Sequence, residues 1–74
     1  MVLADCDERY LRELSYYFME NVPQLELITF TKRERMCRYF EDNNRADILM
    51  VDETFADSGL KEMTPGLTRI VMSK

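Results

Sequence analysis

Apolar residues along the chain alternate between short continuous runs and longer stretches with helical spacing. Residues 1–4 form an apolar run that ends at Asp5, and such a run is typical of a strand covered on both faces. Four apolar residues then recur at spacings of three and four: Leu11, Leu14, Phe18 and Val22. This stripe predicts a first helix that begins near Asp7 and ends before Pro23.

The next two segments repeat the alternation. Residues 25–30 contain β-branched and aromatic side chains, which predicts a second strand. Thr31 and Glu34 have the spacing of a capping box, so a second helix is expected to begin there. Its predicted end is at residues 43–44, because asparagine tolerates the left-handed conformation of a helix end. Three residues are predicted to form its buried face: Met36, Cys37 and Phe40.

Residues 46–52 form the clearest strand, apolar at consecutive positions and finished by Asp52, as is typical of a central parallel strand. Residues 54–66 predict a loop with one or two helical turns, and residues 68–72 predict a last short strand. This order of elements predicts an α/β fold with a parallel sheet and helices on both faces.

Composition and charge restrict the function. The net charge of −4 and the isoelectric point near 4.7 argue against a nucleic-acid partner, since phosphate binding depends on clustered Lys and Arg. The longest apolar stretch, residues 48–51, is far shorter than the ~20 residues of a membrane helix, and no signal peptide precedes the first strand. We therefore expect a cytoplasmic protein without membrane insertion.

Several kinds of catalytic site are missing from the sequence. The chain has no histidine, which removes the usual general base and every Ser-His or Cys-His dyad. Its two glycines cannot form a phosphate-binding loop or a dinucleotide fingerprint. Cys6 and Cys37 fall in different elements, and we expect both to be free, buried thiols. The chain is therefore not expected to be an enzyme, and no cofactor is predicted.

One group of polar residues converges in the predicted sheet. Asp5 and Asp7 follow the first strand, Asp52 ends the third and Ser73 follows the fourth. Ligands of doubly wound sheets bind at the carboxyl ends of the strands. This end of the sheet is therefore the predicted site.

These residues resemble the receiver domain of bacterial response regulators, which has a CheY-like, flavodoxin-like doubly wound sheet. By this resemblance Asp5 matches the first acid of the pocket, Asp52 the phospho-acceptor and Ser73 the switch hydroxyl. The resemblance implies the order β1-α1-β2-α2-β3-(short α3)-β4 with strand order 2-1-3-4. Residues 1–74 would then be an incomplete receiver-like domain without its final strand and helices.

The chain departs from the receiver pattern at its metal site. Cys6 stands where the family has a second acid that binds Mg²⁺, and a thiol is the wrong donor for this ion. Asp7 is the residue left to replace that acid, but it also stands at the start of the first helix. Lys74 follows the fourth strand and does not match the family's lysine, which follows the fifth.

The loop after Asp52 also differs from the receiver pattern. The family has Met-Pro three and four residues after the phospho-acceptor and Gly at the eighth position. Here these positions carry Phe55, Ala56 and Leu60, with Gly59 one residue early. The resemblance therefore implies an altered phosphate pocket.

Two stretches, residues 3–11 and 46–53, are more specifically similar to the atypical receiver domains that precede the ParA/MinD-like ATPases of pilus assembly, the TadZ and CpaE families. In those families the receiver-like domain resembles a protein-interaction or localisation module. This similarity implies protein partners within a larger signalling or pilus-assembly protein. Without the fifth strand and final helix of the receiver fold, the fourth strand would have an unpaired edge, so we expect a homo-oligomer formed through that edge or through an uncovered face.

Two alternatives to an interaction module stay open. One is a working receiver domain of a two-component system, phosphorylated on Asp52 with Mg²⁺ held by Asp5 and Asp7 and with Ser73 closing on the phosphate. The other is an unrelated small α/β domain whose acids at the strand ends are solvated. Only the first alternative requires a metal.

Overall fold

Four strands and three helices alternate along residues 1–42 and 44–73, the part of the chain that the computed structural model describes. They follow the order β1 (Val2–Ala4), α1 (Glu8–Asn21), β2 (Ile28–Phe30), α2 (Arg33–Glu41), β3 (Ile48–Asp52), α3 (Ser58–Met63) and β4 (Thr68–Met72). The strands form one parallel sheet in the order β2-β1-β3-β4. The predicted α/β class and the CheY-like strand order are thus confirmed.

The main core lies on one face of this sheet, against α2 and α3. Successive residues of a strand point to opposite faces, and the ladders align Val2 with Leu49 and Ala4 with Val51 on this face. The core cluster consists of Val2, Ala4, Met36, Cys37, Phe40, Leu49, Val51, Phe55 and Leu60. The predicted buried face of α2 is therefore confirmed.

Helix α1 covers the opposite face. Leu3, Met50 and Ile70 form a row across that face, and Met72 lies on it two residues further along β4. The Tyr10 hydroxyl of α1 lies 4.0 Å from the sulfur of Met72. The predicted apolar stripe of α1 is confirmed: Leu11 is buried and Leu14, Phe18 and Val22 are half-buried. No helix in the described part of the chain has the length and apolar character needed to cross a membrane.

The start of α1 agrees with the sequence, but the start of α2 does not. Asp7 is the N-cap of α1, and its Oδ1 accepts a hydrogen bond from the Tyr10 N–H at 3.2 Å. The predicted capping box of α2 is wrong, because its N-cap is Lys32 and no side chain caps it. Met36 and Phe40 are buried, and their burial decides which side of α2 faces the sheet. The free energy gained by this burial exceeds the roughly 1 kcal/mol that an N-cap contributes. Helix α2 ends at Glu41 with Asp42 as its C-cap, slightly before the predicted end at residues 43–44, of which Asn43 lies outside the described residues.

Strand β2 is shorter than the predicted residues 25–30. The Leu25 N–H donates to the Val22 carbonyl at 3.0 Å, which forms a turn directly after α1. The ladder with β1 starts where the Ile28 N–H donates to the Met1 carbonyl, also at 3.0 Å. The turn thus takes the first residues of the segment away from the sheet.

Candidate functional site

The site lies where β1 and β3, which are neighbours in the sheet, both end. Asp5 directly follows β1 and Asp52 is the last residue of β3. A carboxylate oxygen of each and the sulfur of Cys6 all lie within 4.8 Å of one another. We call these three residues the acidic pocket. The predicted convergence of Asp5 and Asp52 is confirmed.

Both carboxylates of the acidic pocket are buried. Asp5 is 0% exposed and Asp52 is 4% exposed. The alternative of solvated acids at the strand ends is therefore wrong for these two residues. Carboxylates removed from water must be compensated by hydrogen bonds, cations or protonation, so this pocket is a built feature of the fold.

The backbone around the pocket holds Asp5 in place. The Asp5 N–H continues the sheet by donating to the Phe30 carbonyl at 3.1 Å. Its Oδ1 accepts the Asp7 N–H at 2.9 Å, two residues further along the chain. The turn that leads from β1 into α1 therefore fixes the orientation of this carboxylate.

One oxygen of Asp52 has two neighbours. The Thr54 hydroxyl donates to Asp52 Oδ2, and the Cys6 sulfur lies 3.8 Å from the same oxygen. The contact with Thr54 was not predicted from the sequence. A Thr two residues after an Asp at a strand end is a local signal for such a bond, because short polar side chains bond to nearby turn groups.

The other two predicted site residues are directed elsewhere. Asp7 Oδ1 is the N-cap acceptor of α1. Ser73 is exposed, and its hydroxyl donates to Glu53 Oε2 at 3.3 Å. The structure therefore brings Asp5 and Asp52 together with Cys6, and it assigns Asp7 and Ser73 to other contacts.

The two thiols lie in different environments. Cys6 is exposed, so its predicted burial is wrong, since the chain bends away from the sheet directly after Asp5. Cys37 is buried in the core beside α3, as predicted. Both thiols are free.

The donors of the acidic pocket include one poor ligand for Mg²⁺. This ion requires oxygen ligands in near-octahedral geometry, and the third donor beside Asp5 and Asp52 is the sulfur of Cys6. Asp7 is the residue that the sequence offers in place of the missing acid. One of its carboxylate oxygens accepts the hydrogen bond that caps α1. Among the described residues, this group of donors therefore consists of two carboxylates and one thiol.

The segment after Asp52 is used for packing. Phe55 and Leu60, which occupy two of the altered receiver positions, are both buried in the core. The predicted helical turns between residues 54 and 66 are confirmed as α3, and its N-cap Asp57 accepts the Leu60 N–H at 2.8 Å. The loop therefore anchors α3 to the core.

An ion pair fixes α3 to α2. The Arg33 guanidinium donates to both carboxylate oxygens of Asp57, at 2.7 and 2.6 Å. The Leu60 N–H and then the Arg33 guanidinium lower the pKa of Asp57, and the hydrogen bond to Asp57 raises the pKa of Arg33. This pair positions α3 and does not touch the acidic pocket.

One cavity of the structure lies away from the acidic pocket. It measures about 510 Å³ and opens between the ends of α2 and α3 and the start of β4, beside Phe40, Arg45 and Leu67. Arg45 is the one titratable side chain among the described residues of its lining. The cavity therefore offers no pair of groups for acid–base or metal chemistry.

No family model, curated protein or solved structure matches this chain.

Proposed function

We propose that the chain is an atypical receiver-like domain that acts as a protein-interaction or localisation module of a larger signalling or pilus-assembly protein. Its site carries out no phosphoryl transfer. The observation that carries this proposal is the Cys6 thiol 3.8 Å from Asp52 Oδ2, at the position where a receiver domain needs an acidic metal ligand.

The contacts of Asp52 support a structural role for this carboxylate. A phospho-acceptor attacks phosphorus with a carboxylate oxygen, and a divalent cation neutralises the charge that develops on the phosphoryl group. In this chain the Thr54 hydroxyl donates to Asp52 Oδ2, which withdraws electron density from that oxygen. The thiol of Cys6 beside it is a poor ligand for Mg²⁺. These groups stabilise a buried strand end without assembling a reactive centre.

The exposed apolar surface supports the interaction role. Tyr16, Tyr17 and Met19 are exposed on α1, and Ile70 and Val71 are exposed on β4. Each of these exposed apolar side chains would gain by burial against a protein partner. The net charge of −4 favours a protein partner over a nucleic acid.

One observation favours the alternative of a working receiver domain phosphorylated on Asp52 with Mg²⁺. The buried carboxylates of Asp5 and Asp52 converge, as two metal-binding acids of a receiver domain would. The two functions differ in whether the parent chain binds Mg²⁺.

A magnesium titration followed by backbone amide shifts separates the two functions. The parent chain should show no saturable shifts at residues 5–7 and 52–54 at millimolar Mg²⁺, because its third donor is a thiol. Cys6→Asp supplies the missing carboxylate and should gain saturable binding at these amides. The matched control Cys6→Ser supplies a neutral oxygen and should behave as the parent. Saturable binding by the parent with the affinity of Cys6→Asp would contradict the proposal.

A further inference from the structure

The cavity beside Arg45 lies at the opposite edge of the sheet from the acidic pocket. Its lining comes from the end of α2 and the segment before β3, and from the end of α3 and the segment before β4. The acidic pocket instead lies at the carboxyl ends of β1 and β3. None of the described lining residues belongs to β4. The cavity is thus enclosed between two helices that pack on the same face of the sheet.

The floor of the cavity is apolar. Phe40 is 8% exposed and belongs to the core cluster, and Met63 and Leu67 pack against that cluster while staying half-buried. Ligand sites of proteins typically measure roughly 300–1,000 Å³ and combine an apolar lining with a few polar groups. At about 510 Å³, the cavity has room for a small molecule with an apolar body.

Two main-chain carbonyls at the ends of α2 and α3 are already bonded. The Asn44 amide donates to the Tyr39 carbonyl, and the Thr64 hydroxyl donates to the Leu60 carbonyl, both at 2.8 Å. The Thr64 hydroxyl also accepts a hydrogen bond from the Arg69 guanidinium at 2.9 Å. These caps reduce the number of acceptors that the cavity offers to a ligand.

Arg45 is the charged group that the cavity offers instead. Its side chain is exposed, and it is the only titratable one among the described lining residues. The ion pairs found within residues 1–42 and 44–73 join other side chains, so no carboxylate of that part of the chain holds its guanidinium. A guanidinium binds a carboxylate through two parallel hydrogen bonds. It balances one negative charge, and the carboxyl ends of the two helices disfavour a second.

We propose that this cavity binds a small apolar carboxylate. The apolar part of the ligand lies on Phe40, Met63 and Leu67, and its carboxylate pairs with Arg45 at the rim. The ligand is bound and not converted, because the described lining supplies no second titratable group. This site goes beyond the interaction role and does not depend on the acidic pocket.

Octanoate and its neutral counterpart octanamide test the proposal by NMR titration. Octanoate should cause saturable shifts of the amide signals of residues 45, 66 and 67 and of the Met63 methyl signal. Butyrate should not reach saturation over the same range, because each buried methylene contributes about fourfold in affinity. Octanamide should bind about threefold to fivefold more weakly than octanoate, the range of an exposed ion pair. Octanoate shifts confined to other residues, or equal affinities for octanoate and octanamide, would overturn the proposal.

Two matched variants test the role of Arg45. Arg45→Gln removes the charge and should weaken octanoate binding about threefold to fivefold, while octanamide binding stays as in the parent. The control Arg38→Gln removes an exposed arginine of α2 that does not line the cavity, and it should bind both probes as the parent does. Equal weakening of octanoate binding by the two variants would show a general effect of charge and would overturn the proposal.

Discussion

The sulfur of Cys6 lies 3.8 Å from Oδ2 of Asp52. Cys6 follows β1 and Asp52 ends β3, and they meet because β1 and β3 are parallel neighbours with Ala4 aligned to Val51. Cys6 is two residues after Ala4 and Asp52 is one residue after Val51, so a thiol lies beside a buried carboxylate. By the resemblance to a receiver domain this position would carry a second acid, and a thiol is a poor ligand for Mg²⁺.

Asp7 should act on stability through the N-terminus of α1. Asp7→Ala removes the acceptor for the Tyr10 N–H, and it should lower the free energy of unfolding by about 1 kcal/mol. Asp7→Ser keeps a capping oxygen and should recover most of that loss. Urea unfolding of the three proteins measures the difference. Equal losses for the Ala and Ser variants would show that Asp7 acts through its charge and not through the cap.

The carboxylate of Asp57 should make the free energy of unfolding depend on pH in the acid range. Its pKa is lowered from 3.8 by the Leu60 N–H and then by the Arg33 guanidinium, so the folded state binds its proton less readily than the unfolded state does. The stabilisation is therefore complete above pH 3.8 and is lost as the pH falls through the lower folded pKa. The urea midpoints of the parent and Asp57→Asn should differ most at neutral pH and converge below pH 3.8.

A control variant separates this contact from a general loss of charge. Glu62→Gln removes a carboxylate from the same helix and leaves the Arg33–Asp57 pair in place. It should not reproduce the pH-dependent difference. Both partners of the pair are partly exposed, so added salt should reduce the effect of Asp57→Asn. A difference between parent and Asp57→Asn that persists unchanged below the lowered pKa would contradict the assignment.

The sheet could be predicted from the sequence because its central strands leave a distinct pattern. The apolar runs of β1 and β3 are continuous, as burial on both faces requires. The alternation with helices then restricts the connections to parallel crossovers. The meeting of Asp5 and Asp52 follows from this topology, since both stand at the ends of neighbouring strands.

The orientation of individual side chains could not be predicted in the same way. Asp7 and Ser73 stand at the expected end of the sheet, but each bonds a nearer group, the Tyr10 N–H and the Glu53 carboxylate. The exposure of Cys6 depends on the bend after β1. Local hydrogen bonds and turns decide these details, and strand periodicity contains no information about them.

Intact mass spectrometry after incubation with acetyl phosphate and Mg²⁺ tests the central claim most directly. The parent chain should keep its unmodified mass, as should Asp52→Ala, because a thiol stands in place of a metal-binding acid beside Asp52. Circular dichroism of Asp52→Ala checks that the control is folded. A stoichiometric gain of one phosphoryl group in the parent, absent from folded Asp52→Ala, would contradict the account and establish Asp52 as a working phospho-acceptor.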